Sequence, residues 1–416
     1  MSLPTNKNGH EVRYGLPGEV RFCSRCVISN QRPNSTVEFK NSPGDSKAAI
    51  QLDDDLVCSA CAYHATKEVG IDWEAREELL WKMLERYRRT DGGYDVIIPG
   101  SGGKDSAYTA HILKYKYKMN PLTVTWAPHL YTDIGWRNFT NWMHVGGLDN
   151  MLYTPNGRLH RLLTKMAVFN LMHPFQPFII GQRIIGPAMA ARFGVKLVMY
   201  GENQAEYGNS VDENNIPTMD YKFFARQDDA EPILGGEPIS KILSAHPDLS
   251  LGDFAPYIPM SEASLREKNV DVHYLGYYLK WDPQECFYYA AEHTGFEPNT
   301  ERTEGSYSKY SSIDDKVDPF HYYTTLLKFG IGRATYDAAQ EVRNGKITRE
   351  EAVALAERFD TEFPERFYPD FLEYLGTTDD ELRAAFDDFR SPHLWGKDAS
   401  GEWRLRHTVG GTGLDD

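Results

Sequence analysis

Apolar residues along this chain fall in short unbroken runs separated by longer segments with helical spacing. Val96-Ile97-Ile98, inside Tyr94 to Gly100, is one run; Leu122-Thr123-Val124-Thr125-Trp126-Ala127 is a second, Asp149 to Tyr153 a third and Val195 to Gly201 a fourth. Runs of this length, rich in β-branched residues and bounded by turn formers, predict buried strands. Between them the pattern predicts helices from Asp105 to Lys118 and around Asn138 to Val145. A further helix precedes the first strand, with Asp72 as its cap and Leu79, Leu80, Met83, Leu84 and Tyr87 on one face. Strands alternating with helices imply an α/β fold, a parallel sheet with helices on both faces wound by right-handed crossovers.

The turn after the first run is Ser101-Gly102-Gly103-Lys104-Asp105-Ser106. Its glycines allow strained dihedrals and close approach, and the helix start behind them offers unpaired N–H groups and partial positive charge. An anionic ligand, a phosphate by preference, fits there. A Walker A loop does not: Ile98 stands where its first Gly belongs, and Asp105 follows Lys104 where Ser or Thr is required. Ligands of such sheets gather at the carboxyl ends of the strands, which sets the loop, Trp126 and Glu202-Asn203-Gln204 on one rim. Trp126 there either stacks on a base or packs in the core.

Before the sheet, residues 1 to 70 form a small module with a polar middle from Asn30 to Asp55. It holds two pairs of cysteines, Cys23/Cys26 and Cys58/Cys61, each with the two-residue gap that lets both sulfurs reach one ion. We read a structural zinc that replaces a core; an iron–sulfur cluster could use the same ligands, and two disulfides are disfavoured in a reducing cytosol. Such a site leaves no position open for metal catalysis. Cys286 remains, and reads as a core residue.

Residues 71–210 read as the α/β core that carries the phosphate-type loop, 211–271 as an insertion near the site, 272–365 as completion of the core with a second binding region, and 366–416 as an acidic helical tail disordered from Gly410 onward. Val272 to Pro283 looks like a strand ending in a turn, and helices are expected from Pro283 to His293 and Phe320 to Phe329. Thr348-Arg349-Glu350-Glu351 is a capping box that starts another helix. Between these lies the densest polar run, Glu304 to Pro319, with four serines, two lysines and three aspartates. Such a run is either a solvated loop or part of a site; its place between two sheet-packing helices favours a site.

Length and charge narrow the classes. The chain has 416 residues, 41% of them hydrophobic, enough for one large or two moderate domains. A net charge of -15 argues against a large basic surface for nucleic acid. The longest apolar stretch, Phe169 to Val198, is broken by prolines, arginines and amides, and no charged-then-apolar segment opens the chain. A soluble, cytoplasmic protein without membrane insertion is expected.

The loop resembles the Ser-Gly-Gly-x-Asp-Ser motif of PP-loop ATP pyrophosphatases, whose fold is of the adenine nucleotide α-hydrolase-like type. With the paired-cysteine module, Leu279-Lys280-Trp281-Asp282-Pro283, and the run from Tyr307 to Lys316 continuing through Phe329-Gly330-Ile331-Gly332-Arg333-Ala334-Thr335, residues 20 to 365 resemble the N-acetyl sugar amidotransferases of bacterial surface-polysaccharide biosynthesis. That family is associated with acetamidino sugars of lipopolysaccharide, including pseudaminic-acid-type sugars. The resemblance implies adenylation of an acetamido oxygen by ATP with Mg²⁺, release of pyrophosphate, then displacement of AMP by ammonia. Under it Ser101, Gly102, Gly103, Lys104, Asp105 and Ser106 hold the nucleotide with Trp126. Lys104, Asp105, Lys280, Lys309 and Arg333 become catalytic candidates, and Asp105 a candidate Mg²⁺ ligand. Glu202, Asn203, Tyr307, Lys309, Asp314 and Lys316 become candidates for binding an N-acetylated sugar or sugar nucleotide. No Gly-x-Cys-x-Gly elbow is present, so a separate glutaminase with a cyclase-like partner is expected to supply ammonia. Two alternatives stand beside this, a PP-loop tRNA-thiolation enzyme, for which only Cys286 is spare, and a nucleotide-binding protein without turnover.

Overall fold

Five parallel strands form the centre of the computed structural model, which describes residues 3–201, 209 and 216–416. They are β1 (Val96–Pro99), β2 (Pro121–Trp126), β3 (Asp149–Tyr153), β4 (Leu197–Tyr200) and β5 (Asp271–Tyr274), in the order β3-β2-β1-β4-β5. Every residue of β1 and β2 is buried, whereas edge strand β3 is largely exposed. Alternation along the strands divides the core. Val96, Ile98, Leu197 and Met199 face helices Trp73–Glu85, Lys104–Tyr115 and Pro283–Thr294. Ile97, Leu122, Val124 and Val198 face helices Gly157–Leu171 and Gln176–Phe193. The expected fold class, an α/β parallel sheet with helices on both faces, is the one observed.

Helix Gln176–Phe193 is the interrupted apolar stretch of the sequence, and it is buried nearly all round against β1 and β2. Among the described residues no helix is long and apolar enough to cross a membrane. Asp72 caps its helix by accepting from Ala75 N at 3.0 Å, and Thr348 with Glu351 closes the capping box. The strand expected from Val272 to Pro283 is shorter: after Tyr274 the chain turns into a helical turn, Leu275–Tyr278, because Gly276 N bonds Gly201 O at 2.9 Å across the end of β4.

The cysteine module does not stand apart. Its apolar residues Val27, Ile28 and Ile50 pack on Ile331, Ala338, Ala339 and Ala352 of the C-terminal helices Arg333–Arg343 and Arg349–Phe359 and the turn before them. Residues 216–271 fold into short helices and a small hairpin whose apolar side chains join the core beside helices Gly157–Leu171 and Gln176–Phe193. No described residue of that segment lines either cavity described below. The last residues also differ from expectation. Leu414 N and Asp415 N bond the carbonyls of Leu405 and Arg406, which ties the end of the chain to a two-stranded ribbon, Trp395–Lys397 with Trp403–Leu405.

Candidate functional site

The strand order reverses at β1, whose neighbours are β2 and β4, and the Ser101 to Ser106 turn sits at that switch point. Gly102 has φ +84°, and a Cβ there would lie 2.8 Å from the Phe139 Cα, so both conformation and space require glycine. Gly103 caps the following helix, and a Cβ on it would meet only the Ser101 hydroxyl, at 3.8 Å. Open space beside this backbone lets a ligand approach the N–H groups of the helix start. Lys104 Nζ lies 2.6 Å from Asp105 Oδ2, and Ser106 Oγ donates to Gly103 O at 3.0 Å.

One side of the loop opens into a cavity of about 480 Å³. Its walls come from the loop, the cysteine module (Ile28, Arg32, Ile50), the 308–314 segment and the two helices Asp318–Phe329 and Arg333–Arg343. The polar run of the sequence is therefore a wall of the cavity. It is fastened from behind by Asp315, whose Oδ2 accepts from His129 N and meets His129 Nδ1 while Oδ1 accepts from Leu130 N and Val317 N. Asp314 then faces the loop and shares a hydrogen bond with the Ser101 side chain. Burial raises the Asp314 carboxyl, and that hydrogen bond opposes the rise.

The opposite wall carries charge in pairs. Asp360 accepts from Gly332 N, Thr335 N and Thr335 Oγ1, which caps helix Arg333–Arg343 at its first turn. Arg333 so placed lies 3.0 Å from Asp337, with its guanidinium 4.1 Å from the Tyr322 ring centre. Burial disfavours its charge, but Asp337, Tyr322 and Asp318 outweigh burial and keep it firmly protonated. Tyr307 donates to Glu341 at 2.9 Å, and burial raises both groups. Asp318 is pushed up to about 7 by burial, with Arg333 opposing.

On the other side of the loop lies a second cavity of about 290 Å³ at the carboxyl ends of β1, β4 and β5, lined by Pro99, Gln182, Arg183, Tyr200, Gly201 and Tyr274 among others. Ser101, Gly103 and Asp105 line both cavities.

Cys23, Cys26, Cys58 and Cys61 are buried, unbridged by disulfides, and their sulfurs all lie within 4.8 Å of one another. Cys23 Sγ is 3.9 Å from Cys61 Sγ, and Cys26 Sγ is 3.8 Å from Cys58 Sγ. A tetrahedral ion with metal–sulfur bonds of about 2.3 Å sets its sulfurs about 3.8 Å apart. The four thiols thus fit one metal ion. Backbone N–H groups of Arg25, Cys26 and Cys58 point at Cys23 Sγ, the environment a thiolate needs.

Of the residues singled out in the sequence, Ser101, Gly102, Gly103, Lys104, Asp105, Asp314 and Arg333 line the main cavity. Tyr307 stands behind it, on Glu341. Three lysines are engaged elsewhere: Lys280 with Glu68 at 2.8 Å, Lys309 with Thr300 O at 2.9 Å and Lys316 with Asp370 at 2.6 Å. Trp126 is core, 3% exposed, its ring stacked on Tyr153 and so close to Gly181 that a Cβ there would stand 2.2 Å away. Packing, and not base stacking, is the role its surroundings support. Glu202 and Asn203 lie outside the described residues. The sequence did not single out Asn138, Asp318, His321, Tyr322, Asp337, Glu341 and Arg343, which also line the cavity. Their helical spacing, Asp318/His321/Tyr322 and Asp337/Glu341, was the available signal.

Residues 304–409 match the family described as "LPS biosynthesis protein WbpG-like, C-terminal domain". No curated protein matches the chain. Similar solved structures include a predicted subunit of tRNA methyltransferase from Methanocaldococcus jannaschii, at 14% identity and TM-score 0.24, covering 47% of this chain and 74% of that one. NMN synthetase from Francisella tularensis aligns at 12% identity and TM-score 0.28, covering 69% and 94%. The U34-tRNA thiolase NcsA from Methanococcus maripaludis, solved with its [4Fe-4S] cluster, aligns at 13% identity and TM-score 0.29, covering 81% and 89%.

Proposed function

We propose that this chain is an ATP-dependent, AMP-forming amidotransferase that converts the acetamido group of an N-acetylated sugar, free or nucleotide-linked, to an acetamidino group for lipopolysaccharide biosynthesis. One observation carries it: the phosphate-type loop opens directly onto a polar cavity of about 480 Å³ walled partly by the segment that matches the WbpG-like domain. ATP would take the switch-point side, with its base toward the second cavity and its phosphates on the loop. The acetamido sugar would take the main cavity, its carbonyl oxygen directed at the α-phosphorus.

Adenylation solves a chemical problem. An amide carbon is a poor electrophile and its oxygen a poor leaving group; an O-adenylyl imidate reverses both. The loop N–H groups and Lys104 stabilise the departing pyrophosphate, and Arg333 supplies a buried positive charge on the acceptor side. Asp105, which lines both cavities, is the carboxylate suited to Mg²⁺, whose charge would offset that of the phosphates. Asp314 and the Asp337/Glu341 pair are acceptors suited to sugar hydroxyls. The cysteine site is read as structural zinc, and ammonia as delivered by a separate glutaminase with a cyclase-like partner in the cytoplasm.

A thiolation reading is disfavoured because the fifth cysteine, Cys286, is 2% exposed inside the core. The test is mass spectrometry of the protein incubated with ATP, Mg²⁺, ammonium and a panel of N-acetylated sugars and their nucleotide-linked forms. AMP together with a sugar in which one oxygen has become NH is expected. AMP with an unchanged sugar across the whole panel, or turnover of a tRNA, would overturn the acceptor assignment.

A further inference from the structure

Addition of ammonia to the adenylylated acetamide creates an N–H proton that must leave before AMP does, and Lys104 and Arg333, both cationic, cannot take it. The helix Asp318–Phe329 turns Asp318, His321, Tyr322 and Thr325 into the main cavity, the i, i+3, i+4, i+7 set of one helical face. Asp318 is the first residue of that helix and lines the cavity. Ser312, across from it, has φ +56°, a left-handed conformation that a non-glycine residue adopts only at a cost, and its hydroxyl bonds the Asp318 carboxylate. Ser312 itself lines the cavity. A strained residue kept at a cavity wall and aimed at one carboxylate indicates that the position of this carboxylate matters.

We propose that Asp318 is the proton acceptor of the amination step, a role that rests on the amidotransferase reading above. The nitrogen lone pair of ammonia forms the new C–N bond while the C=N π pair of the protonated imidate moves onto the sugar nitrogen. Asp318 takes a proton from the ammonium-like nitrogen of this adduct. The C–O bond then breaks with its electron pair leaving on AMP, and the product is the amidinium sugar; the carboxylic acid returns its proton to solvent. The charged groups facing Asp318 are Arg333 from the next helix and Asp314 and Asp315 from the preceding segment. Burial, the largest influence, and the two aspartates raise its carboxyl while Arg333 and Ser312 lower it, leaving it at about 7, where a general base is most effective near neutrality.

The experiment compares wild type with Asp318→Asn in three assays, using ammonium chloride and the panel sugar that gives wild-type turnover. Acceptor-dependent ATP–pyrophosphate exchange, which reports adenylation alone, is expected to stay within about threefold. Amidine formation is expected to fall by about 100- to 10,000-fold, the usual share of a general base. Hydroxylamine, a nucleophile less dependent on a base, is expected to restore product formation, as the N-hydroxy amidine, to within about tenfold of wild type. Measured at constant free ammonia, the wild-type rate should rise through about pH 7, a limb that Asp318→Asn lacks. Unchanged amination in Asp318→Asn, or loss of exchange and amination together without rescue by hydroxylamine, overturns the proton role. If wild type itself shows no acceptor-dependent exchange, the amidotransferase reading fails and the role of Asp318 with it.

Discussion

His129 and Asp315 are joined twice, the Asp315 Oδ2 lying 2.8 Å from the His129 backbone N and 2.7 Å from its Nδ1. Both side chains are almost fully buried. The second carboxylate oxygen holds the backbone N–H groups of Leu130 and Val317. One aspartate thereby fastens the chain leaving β2 to the segment that carries Asp314 to the phosphate loop.

Removing that carboxylate leaves several buried donors without an acceptor. Asp315→Ala should destabilise the protein by about 3–5 kcal/mol. The measure is the unfolding free energy from denaturant titration. Turnover should fall as well, since Asp314 and Ser101 lose their common support; an unchanged denaturation midpoint would show that the fastening is not needed.

Lys104 differs, because in the proposed reaction it acts on the departing pyrophosphate. Its ion pair with Asp105 joins neighbouring residues at the rim of the cavity. Lys104→Ala should lower AMP formation by about 100-fold or more, as loss of one preorganised charge on a leaving group does. Its melting temperature should move by no more than about 2 °C. AMP production at the wild-type rate would sink the role given to the loop.

How far these features could be read in the sequence varied with how local their causes are. The strands β1 to β4 and the Ser101 to Ser106 turn follow from runs of β-branched residues and from glycines, so they were legible. Lys280, Lys309 and Lys316 were not, because a lysine in a polar run looks the same whether it meets a ligand or Glu68, Thr300 or Asp370, and only the tertiary arrangement decides. Trp126 was left open for the same reason, its neighbour Gly181 lying 55 positions on by residue number. Asp318 was counted only as one of the three aspartates of the polar run, and Asp337 escaped notice as a mid-helix acid, which is ordinary on solvated helices.

Asp318 and Asp360, raised by burial from 3.8 to about 7 and about 6, each make stability depend on pH. Between pH 4 and their folded values the native state holds protons that the unfolded chain has released. Stability contributed by these groups is therefore greatest in acid and declines as pH rises through that window. Asp318→Asn removes one of the two groups, so its melting temperature should exceed that of wild type at pH 8 and the difference should vanish near pH 4. A variant less stable than wild type at pH 8 would show that the Asp318 charge is compensated in the fold.

The cysteine site bears on the main cavity through packing. Arg349, at the start of helix Arg349–Phe359, donates to the carbonyls of Cys23 and Cys26, and Ile28, Arg32 and Ile50 of the module line the main cavity beside Arg333. Sulfur separations of 3.8 and 3.9 Å match a single tetrahedral ion. A cubane iron–sulfur cluster binds each thiolate to a different iron and spreads the sulfurs further. Elemental analysis should find one zinc per chain in a colourless protein, and four irons with visible absorption would overturn the assignment. Cys23→Ser should lose the metal and more than about 4 kcal/mol of stability, because the module has little apolar material of its own. Stripping zinc with a chelator should also raise amide exchange in helix Arg333–Arg343, whose Ala338 and Ala339 rest on the module, and should lower turnover with it. Exchange there that ignores the metal would mean that the module and the acceptor wall are energetically separate.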